Sequence, residues 1–251
     1  RLHRKQPGRE PMALHYARLA ERPGVEIALP LPEPRLAVEA QAAQRTRERF
    51  GIAGRYAVLC PGAEYGPAKR WPHFAALAAR MDLPVVLLGS AKEREQCAAI
   101  EGRNLAGETT LDEAIELLAG AALVVSNDSG LMHIAAALER PQVALFGSSS
   151  PRHTPPLSPK ARVLWLGLDC SPCSKDMARH LCGHHDCLLT LGADRVRAAI
   201  QDLARAHGVQ PVHTLAEIEA LAGRFPEQVR CLVATLEQRV VAGLVLFVTP
   251  R

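Results

Sequence analysis

The feature that most restricts this chain is an alternation that runs from residue 57 to residue 206. Short uninterrupted apolar runs are separated by segments with helical apolar spacing. The runs are Ala57-Val58-Leu59-Cys60, Val85-Val86-Leu87-Leu88, Leu123-Val124-Val125, Val143-Ala144-Leu145-Phe146 and Val163-Leu164-Trp165-Leu166. Helices are expected from Pro72 through Met81, over 92–100, 111–119 and 131–138, and from Asp194 to Ala206. A strand that is apolar throughout, rather than at every second residue, needs cover on both faces. Such strands alternating with helices through short connections are the pattern of an α/β fold with a parallel sheet between two helical layers.

Composition narrows the class. Hydrophobic residues are 48% and charged residues 22% of 251, which excludes a disordered or fibrous chain. The longest apolar run, residues 240–248, is too short for a membrane-spanning helix. No basic-then-apolar leader opens the sequence, so a cytoplasmic protein is expected. The first residue is Arg1, and a preceding segment is expected. The net charge of +4 arises in residues 1–50, which hold 10 Lys and Arg against 6 Asp and Glu. That excess is too small, and aromatics at 4% too few, to argue for nucleic acid.

Ligands of open parallel sheets bind at the carboxyl ends of the strands. Here those ends read Pro61-Gly62-Ala63-Glu64, Gly89-Ser90, Asn127-Asp128-Ser129-Gly130 and Gly147-Ser148-Ser149-Ser150. Small residues admit a ligand to the backbone, and helix starts offer unpaired N–H groups to an anion. With Lys69 and Arg70 nearby, a phosphate-bearing ligand is favoured over four merely turn-rich loops. No Walker loop and no G-x-G-x-x-G follows a strand. No Asp-x-Asp pair stands near these loops to carry a divalent ion. A diphosphate would therefore be neutralised by Lys69, Arg70 and helix ends.

The stretch Pro61-Gly-Ala-Glu-Tyr-Gly-Pro-Ala-Lys-Arg-Trp-Pro72 resembles the ADP-heptose-dependent glycosyltransferases of family 9, of the lipopolysaccharide heptosyltransferase II type. The resemblance continues in step at Leu87-Leu-Gly-Ser-Ala-Lys92, Asn104-Leu-Ala-Gly-Glu-Thr109, Ser126-Asn-Asp-Ser-Gly-Leu-Met-His133 and residues 144–158, and covers about residues 1–207. It implies a GT-B fold of two Rossmann-like domains. Residues 1–50 would end the acceptor domain and form the linker, with Pro30, Pro32 and Pro34 extended. Residues 51–207 would be the doubly wound ADP-heptose domain. It also implies metal-free transfer of heptose, with inversion, to the inner-core heptose of a lipid-anchored oligosaccharide. The enzyme would be cytoplasmic, touching the inner membrane surface peripherally, with no cofactor required.

Residue by residue, the resemblance implies that Lys69 holds the diphosphate with Arg70 beside it, and that Asp128 holds sugar hydroxyls. Ser129 and Gly130 would open a helix under the diphosphate. Glu93 is a candidate for the ribose and Thr109 for the edge of the adenine pocket. His133 reads equally as a ligand or as a packed helix residue. The family's catalytic Asp would precede Arg1, so the catalytic base is expected outside this chain. Donor binding with poor transfer follows. A non-catalytic nucleotide-binding module, or a GT-B enzyme with a different nucleotide sugar, are the alternatives.

Two stretches stand apart. Cys170, Cys173, Cys182 and Cys187 have the spacing C-x₂-C-x₈-C-x₄-C, which lets four thiolates surround a tetrahedral zinc. A reduced loop without metal is the alternative. Cys60, Cys97 and Cys231 lie in apolar runs and read as core. Residues 208–251 are expected to hold a helix at 215–222 and a hairpin turning at Glu237-Gln238. They weakly resemble the opening of a Gcn5-related acyltransferase domain, with a C-terminal extension packed on the donor domain as the alternative.

Overall fold

The computed structural model describes residues 10–21, 24, 26–64, 66–173, 182 and 184–207, together with the backbone of 229–236 and 239–247. The chain divides into two compact units, Arg1–Val209 and Gln210–Arg251. In the first unit six strands form one parallel sheet in the order β3-β2-β1-β4-β5-β6. They are β1 (Ala57–Cys60), β2 (Val85–Leu87), β3 (Arg103–Asn104), β4 (Leu123–Asn127), β5 (Gln142–Phe146) and β6 (Ala161–Trp165). The helices are α1 (Met12–Arg18), α2 (Ala40–Arg49), α3 (Phe74–Ala78), α4 (Arg94–Ala98), α5 (Leu111–Gly120), α6 (Gly130–Ala137), α7 (Asp186–Leu189) and α8 (Ala193–Ala206). This is the doubly wound α/β architecture expected, and its order reverses between β1 and β4.

Alternate residues of each strand feed opposite layers. Ala57 and Leu59 join Trp71, Phe74, Leu77, Val196 and Leu203 on one face. Val58 and Cys60 join Tyr56, Leu105, Leu117, Leu118 and Ala135 on the other. Trp71 is 1% exposed, donates from Nε1 to the Leu191 carbonyl at 2.6 Å and meets Phe74 edge-on. One side chain thus ties the loop after β1 to the segment between α7 and α8. Cys60 and Cys97 are buried, as expected of core thiols. Residues 40–50 pack against α5 through the Arg49–Glu113 ion pair and the Thr46–Glu116 hydrogen bond. The proline-rich stretch before them carries no helix or strand, and Leu36 N–H donates to the Ala137 carbonyl.

Two local details depart from the periodicity. The helix expected over 92–100 is divided into a 3₁₀ turn, Ala91–Glu93, and α4. The Glu93 side chain folds back to the Ser90 N–H and so starts the helix with a capping box. Strand β3 was not anticipated, because two residues carry no readable period.

The second unit contains β7 (Val229–Leu236) and β8 (Arg239–Phe247), paired antiparallel with a register shift at Ala234/Thr235. The expected helix at 215–222, the Glu237-Gln238 turn and the Cys231 side chain lie outside the described residues.

Candidate functional site

The reversal of strand order splays the loops that follow β1 and β4, and a crevice at that point is where open α/β sheets bind ligands. The residues there begin with Asn127, the last of β4 and fully buried. Its Oδ1 accepts from the Trp71 N–H at 3.1 Å, and its Nδ2 donates to the Pro61 carbonyl at 2.7 Å. Asn127 thereby fixes both limbs of the loop 61–71 against the end of β4. That loop carries Lys69 at the end of the 3₁₀ turn Pro67–Lys69.

Lys69 Nζ lies 2.6 Å from Asp128 Oδ2, with the two side chains 14% and 7% exposed. This ion pair joins residues 59 apart in sequence, one from each side of the switch point. Two opposite charges held at low exposure, at the carboxyl end of the sheet beside the switch point, match a ligand that brings both an anion and hydroxyl donors. Such a ligand can take over each partner in turn.

The other expected residues take distinct positions. Ser129 is the residue preceding α6, and its Oγ lies 3.1 Å from Ser126 Oγ rather than capping the helix. Gly130 opens α6 and is exposed, and a Cβ there would meet nothing within 4 Å. The start of α6 is therefore open to solvent beside Asp128. His133 stands one turn along α6 and is exposed. Desolvation of its ring lowers its pKa, the Asp128 carboxylate raises it, and the Lys69 ammonium lowers it. The imidazole is therefore electrostatically part of the same group, and favours its neutral form.

Glu93 approaches from the end of β2. Its Oε2 accepts from Ser90 N at 2.7 Å and Ser90 Oγ at 3.0 Å. Its carboxyl occupies the space where a Cβ of Gly62 would lie, and a Cβ at Gly89 would stand 2.9 Å from Oε2. The two glycines at the ends of β1 and β2 thus make room for this carboxylate. Thr109 is half-buried just before Thr110, the capping residue of α5. Arg70 is half-buried, and its Nε is enclosed without a hydrogen-bond partner.

Three participants carried no assignment from sequence. Asn127 organises the Lys69 loop, and a polar residue ending an apolar run was the available signal. Ser148, after β5, is 2% exposed and its Oγ has no partner; the adjacent Ser149 Oγ is likewise enclosed and unpaired.

The cysteine segment lies at the end of β5. Ser171 Oγ donates to the Gly147 carbonyl, and Cys173 N–H donates to the Ser148 carbonyl at 2.7 Å. Cys187 sits in α7 beside Leu188, whose side chain lies directly over Gly147. Burial is the first cause that raises the Cys187 pKa, to about 11, followed by the charges of Cys173, Cys170 and Cys182.

Comparison with known proteins adds to this geometry. The model of glycosyltransferase family 9 (heptosyltransferase) matches residues 1–183. The chain is 43% identical over 202 residues to lipopolysaccharide heptosyltransferase 2 of Escherichia coli (strain K12), covering 74% of this chain and 58% of that protein. It is 41% identical over 216 residues to the Salmonella typhimurium protein of the same name, covering 79% and 61%. It superposes on the solved E. coli ADP-heptose lipopolysaccharide heptosyltransferase II with a TM-score of 0.62 at 41% identity, over 72% of this chain and 56% of that one. The chain spans about three fifths of the length of these curated relatives.

Proposed function

The chain belongs to glycosyltransferase family 9, and on that premise we propose that it is the donor-binding part of an inverting heptosyltransferase of lipopolysaccharide core biosynthesis. The donor is ADP-heptose, and the acceptor is the inner-core heptose of a lipid-anchored oligosaccharide. The observation that carries this reading is the Lys69–Asp128 ion pair at the switch point of a GT-B-type sheet.

In this reading the diphosphate enters between Lys69 and the start of α6. Lys69 then leaves Asp128 for the phosphate oxygens, where its charge opposes the negative charge that builds on the departing ADP. The N–H groups around Ser129 and Gly130 contribute the positive end of the helix dipole to the same anion. Asp128, released from Lys69, accepts two hydroxyl hydrogens of the heptose and orients the anomeric carbon. Glu93 offers a carboxylate to the ribose hydroxyls, and Thr109 borders the base. His133, favoured in its neutral form, can donate or accept one hydrogen bond at the diphosphate without adding a full charge. Deprotonation of the acceptor hydroxyl needs a base supplied from the acceptor domain, and its loss costs about 10²- to 10⁴-fold in rate.

Among the described residues no helix is long and apolar enough to cross a membrane. A lipid-anchored acceptor would bring the enzyme to the cytoplasmic face of the inner membrane as a peripheral visitor, with the modestly basic leading segment toward the anionic surface.

Calorimetric titration with ADP in the absence of divalent ions tests the reading. Binding is expected, with UDP at least tenfold weaker, and Lys69→Ala is expected to cost about 1.5–3 kcal/mol. Equal affinity in the variant, or a strict requirement for Mg²⁺, would remove Lys69 from the diphosphate. Turnover of ADP-heptose by this chain alone and by one extended at its N-terminus separates a donor half from a non-catalytic binding module.

A further inference from the structure

The loops that follow β2 and β3 are locked to each other backbone to backbone. Gly107 N–H donates to the Gly89 carbonyl at 2.9 Å, and Gly107 holds a left-handed φ of 75°. A Cβ there would stand 2.6 Å from Ala91 Cα, so the two backbones touch. Side chains then close the joint. Asn104 Nδ2 donates to the Arg94 carbonyl at 3.1 Å, and Asn104 Oδ1 accepts from the Ala106 N–H at 3.0 Å. Arg94 reaches back to the same loop. Its Nη1 donates to the Ala106 carbonyl at 3.1 Å, and its Nη2 lies 2.7 Å from Glu108 Oε1. A single guanidinium thus holds the backbone at residue 106 and the side chain at 108 together, which needs a planar fork of donors.

This joint lies where a nucleoside would run. In doubly wound sheets the diphosphate sits at a helix start by the switch point, and an acidic residue after the next strand takes the ribose. Here that carboxylate is Glu93, immediately before Arg94 and seated over Gly62 and Gly89. Continuing outward along the order β1-β2-β3 brings the base to residues 105–109, with Thr109 at its border. Leu105 and Ala106 are fully buried, whereas the Arg94 and Glu108 side chains are 54% and 36% exposed. An ion pair so exposed adds little to the stability of the fold. What it adds is geometry: it holds the loop after β3 against α4 before any ligand arrives.

We propose that Arg94 is a positioning residue for the nucleobase. It locks residues 104–108 onto α4, so that the carboxylate for the ribose and the border of the base pocket form one preorganised platform. The proposal rests on the donor reading above. Arg94 acts through the loop backbone and Glu108, not on the diphosphate, so its loss should weaken only ligands that carry a base. Without the guanidinium the Ala106 carbonyl and the Glu108 carboxylate lose their shared donor. Binding must then order the loop as well as place the ligand. A lysine at this position has one ammonium on a flexible stem and cannot hold both partners in the fork geometry.

The test uses the whole 251-residue chain, titrated calorimetrically with ADP and with inorganic pyrophosphate. Arg94→Ala should weaken ADP about three- to tenfold and leave pyrophosphate within about twofold. Arg94→Lys should fall between the parent and the alanine variant. Amide hydrogen exchange without ligand should quicken in Arg94→Ala at Gly107 and Glu108, whose N–H groups donate to the Gly89 and Leu105 carbonyls. Equal ADP affinity in Arg94→Ala and the parent overturns the proposal. So does an equal loss for ADP and pyrophosphate, which would make Arg94 a contributor to the anion site, and so does unchanged exchange at those amides. A parent that binds neither ligand overturns the donor reading and, with it, this role for Arg94; the other results overturn the role alone.

Discussion

Replacement of Gly62 by alanine asks whether Glu93 is held where the structure puts it. The new Cβ would fall on the Glu93 carboxyl, so the two cannot coexist. No left-handed backbone angle is involved at this position, and the substitution carries no conformational penalty of its own. The carboxylate must swing out and give up its bonds from Ser90 N and Ser90 Oγ. Loss of such a half-exposed cap costs about 1–2 kcal/mol. Alanine returns about 0.4–1 kcal/mol by stiffening the unfolded chain. The single variant should then lose about 0–1.6 kcal/mol. In a Glu93→Ala background the cap is already gone and the space is empty, so Gly62→Ala should be neutral or slightly stabilising. The coupling between the two positions is expected at about 1–2 kcal/mol. Urea denaturation followed by tryptophan fluorescence measures it, since both tryptophans, Trp71 and Trp165, lie in the first unit. An identical cost of Gly62→Ala in both backgrounds would refute the placement of Glu93. Under the donor reading, both single variants should also weaken ADP through the ribose.

Asp128→Asn should leave ADP affinity within about threefold, or tighten it, because Lys69 loses its competing partner. The affinity gained from the heptose should disappear, and an equal loss for ADP and ADP-heptose would place Asp128 on the nucleotide. Ending the chain after residue 208 should keep ADP affinity and the melting temperature of the first unit, whose last helix closes at Ala206. Unfolding of the shortened chain in a thermal melt would show that the tail is part of the donor domain. Burial pushes the Tyr56 hydroxyl from 10.0 up to about 12, against the charges of Arg47 and Arg140, while it donates to the Leu117 carbonyl at 2.6 Å. The folded chain keeps this proton where the unfolded chain loses it, so stability should fall between pH 10 and about 12. Tyr56→Phe should flatten that part of the alkaline slope in denaturation measured across pH, and an unchanged slope contradicts the assignment.

The amino-acid sequence alone determined the class of this fold, because the cause is local. Runs such as Val143-Ala144-Leu145-Phe146 are apolar on both sides and can be satisfied only between two layers. Residue spacing also located α5, α6 and α8 to within a residue, since each has one apolar face and an identifiable start. The polar and glycine-rich strand ends were legible for the same reason. What spacing could not supply was the strand order. Lys69 and Asp128 lie 59 residues apart and meet only because β4 inserts beside β1. Glu93 reaches Gly62 because β2 takes the other side of β1. The limbs bearing Cys173 and Cys187 meet because both close over the end of β5. These juxtapositions arise from the pairing of strands and the packing of helices between distant segments. Their energy belongs to no single stretch of chain, so only the tertiary structure decided them.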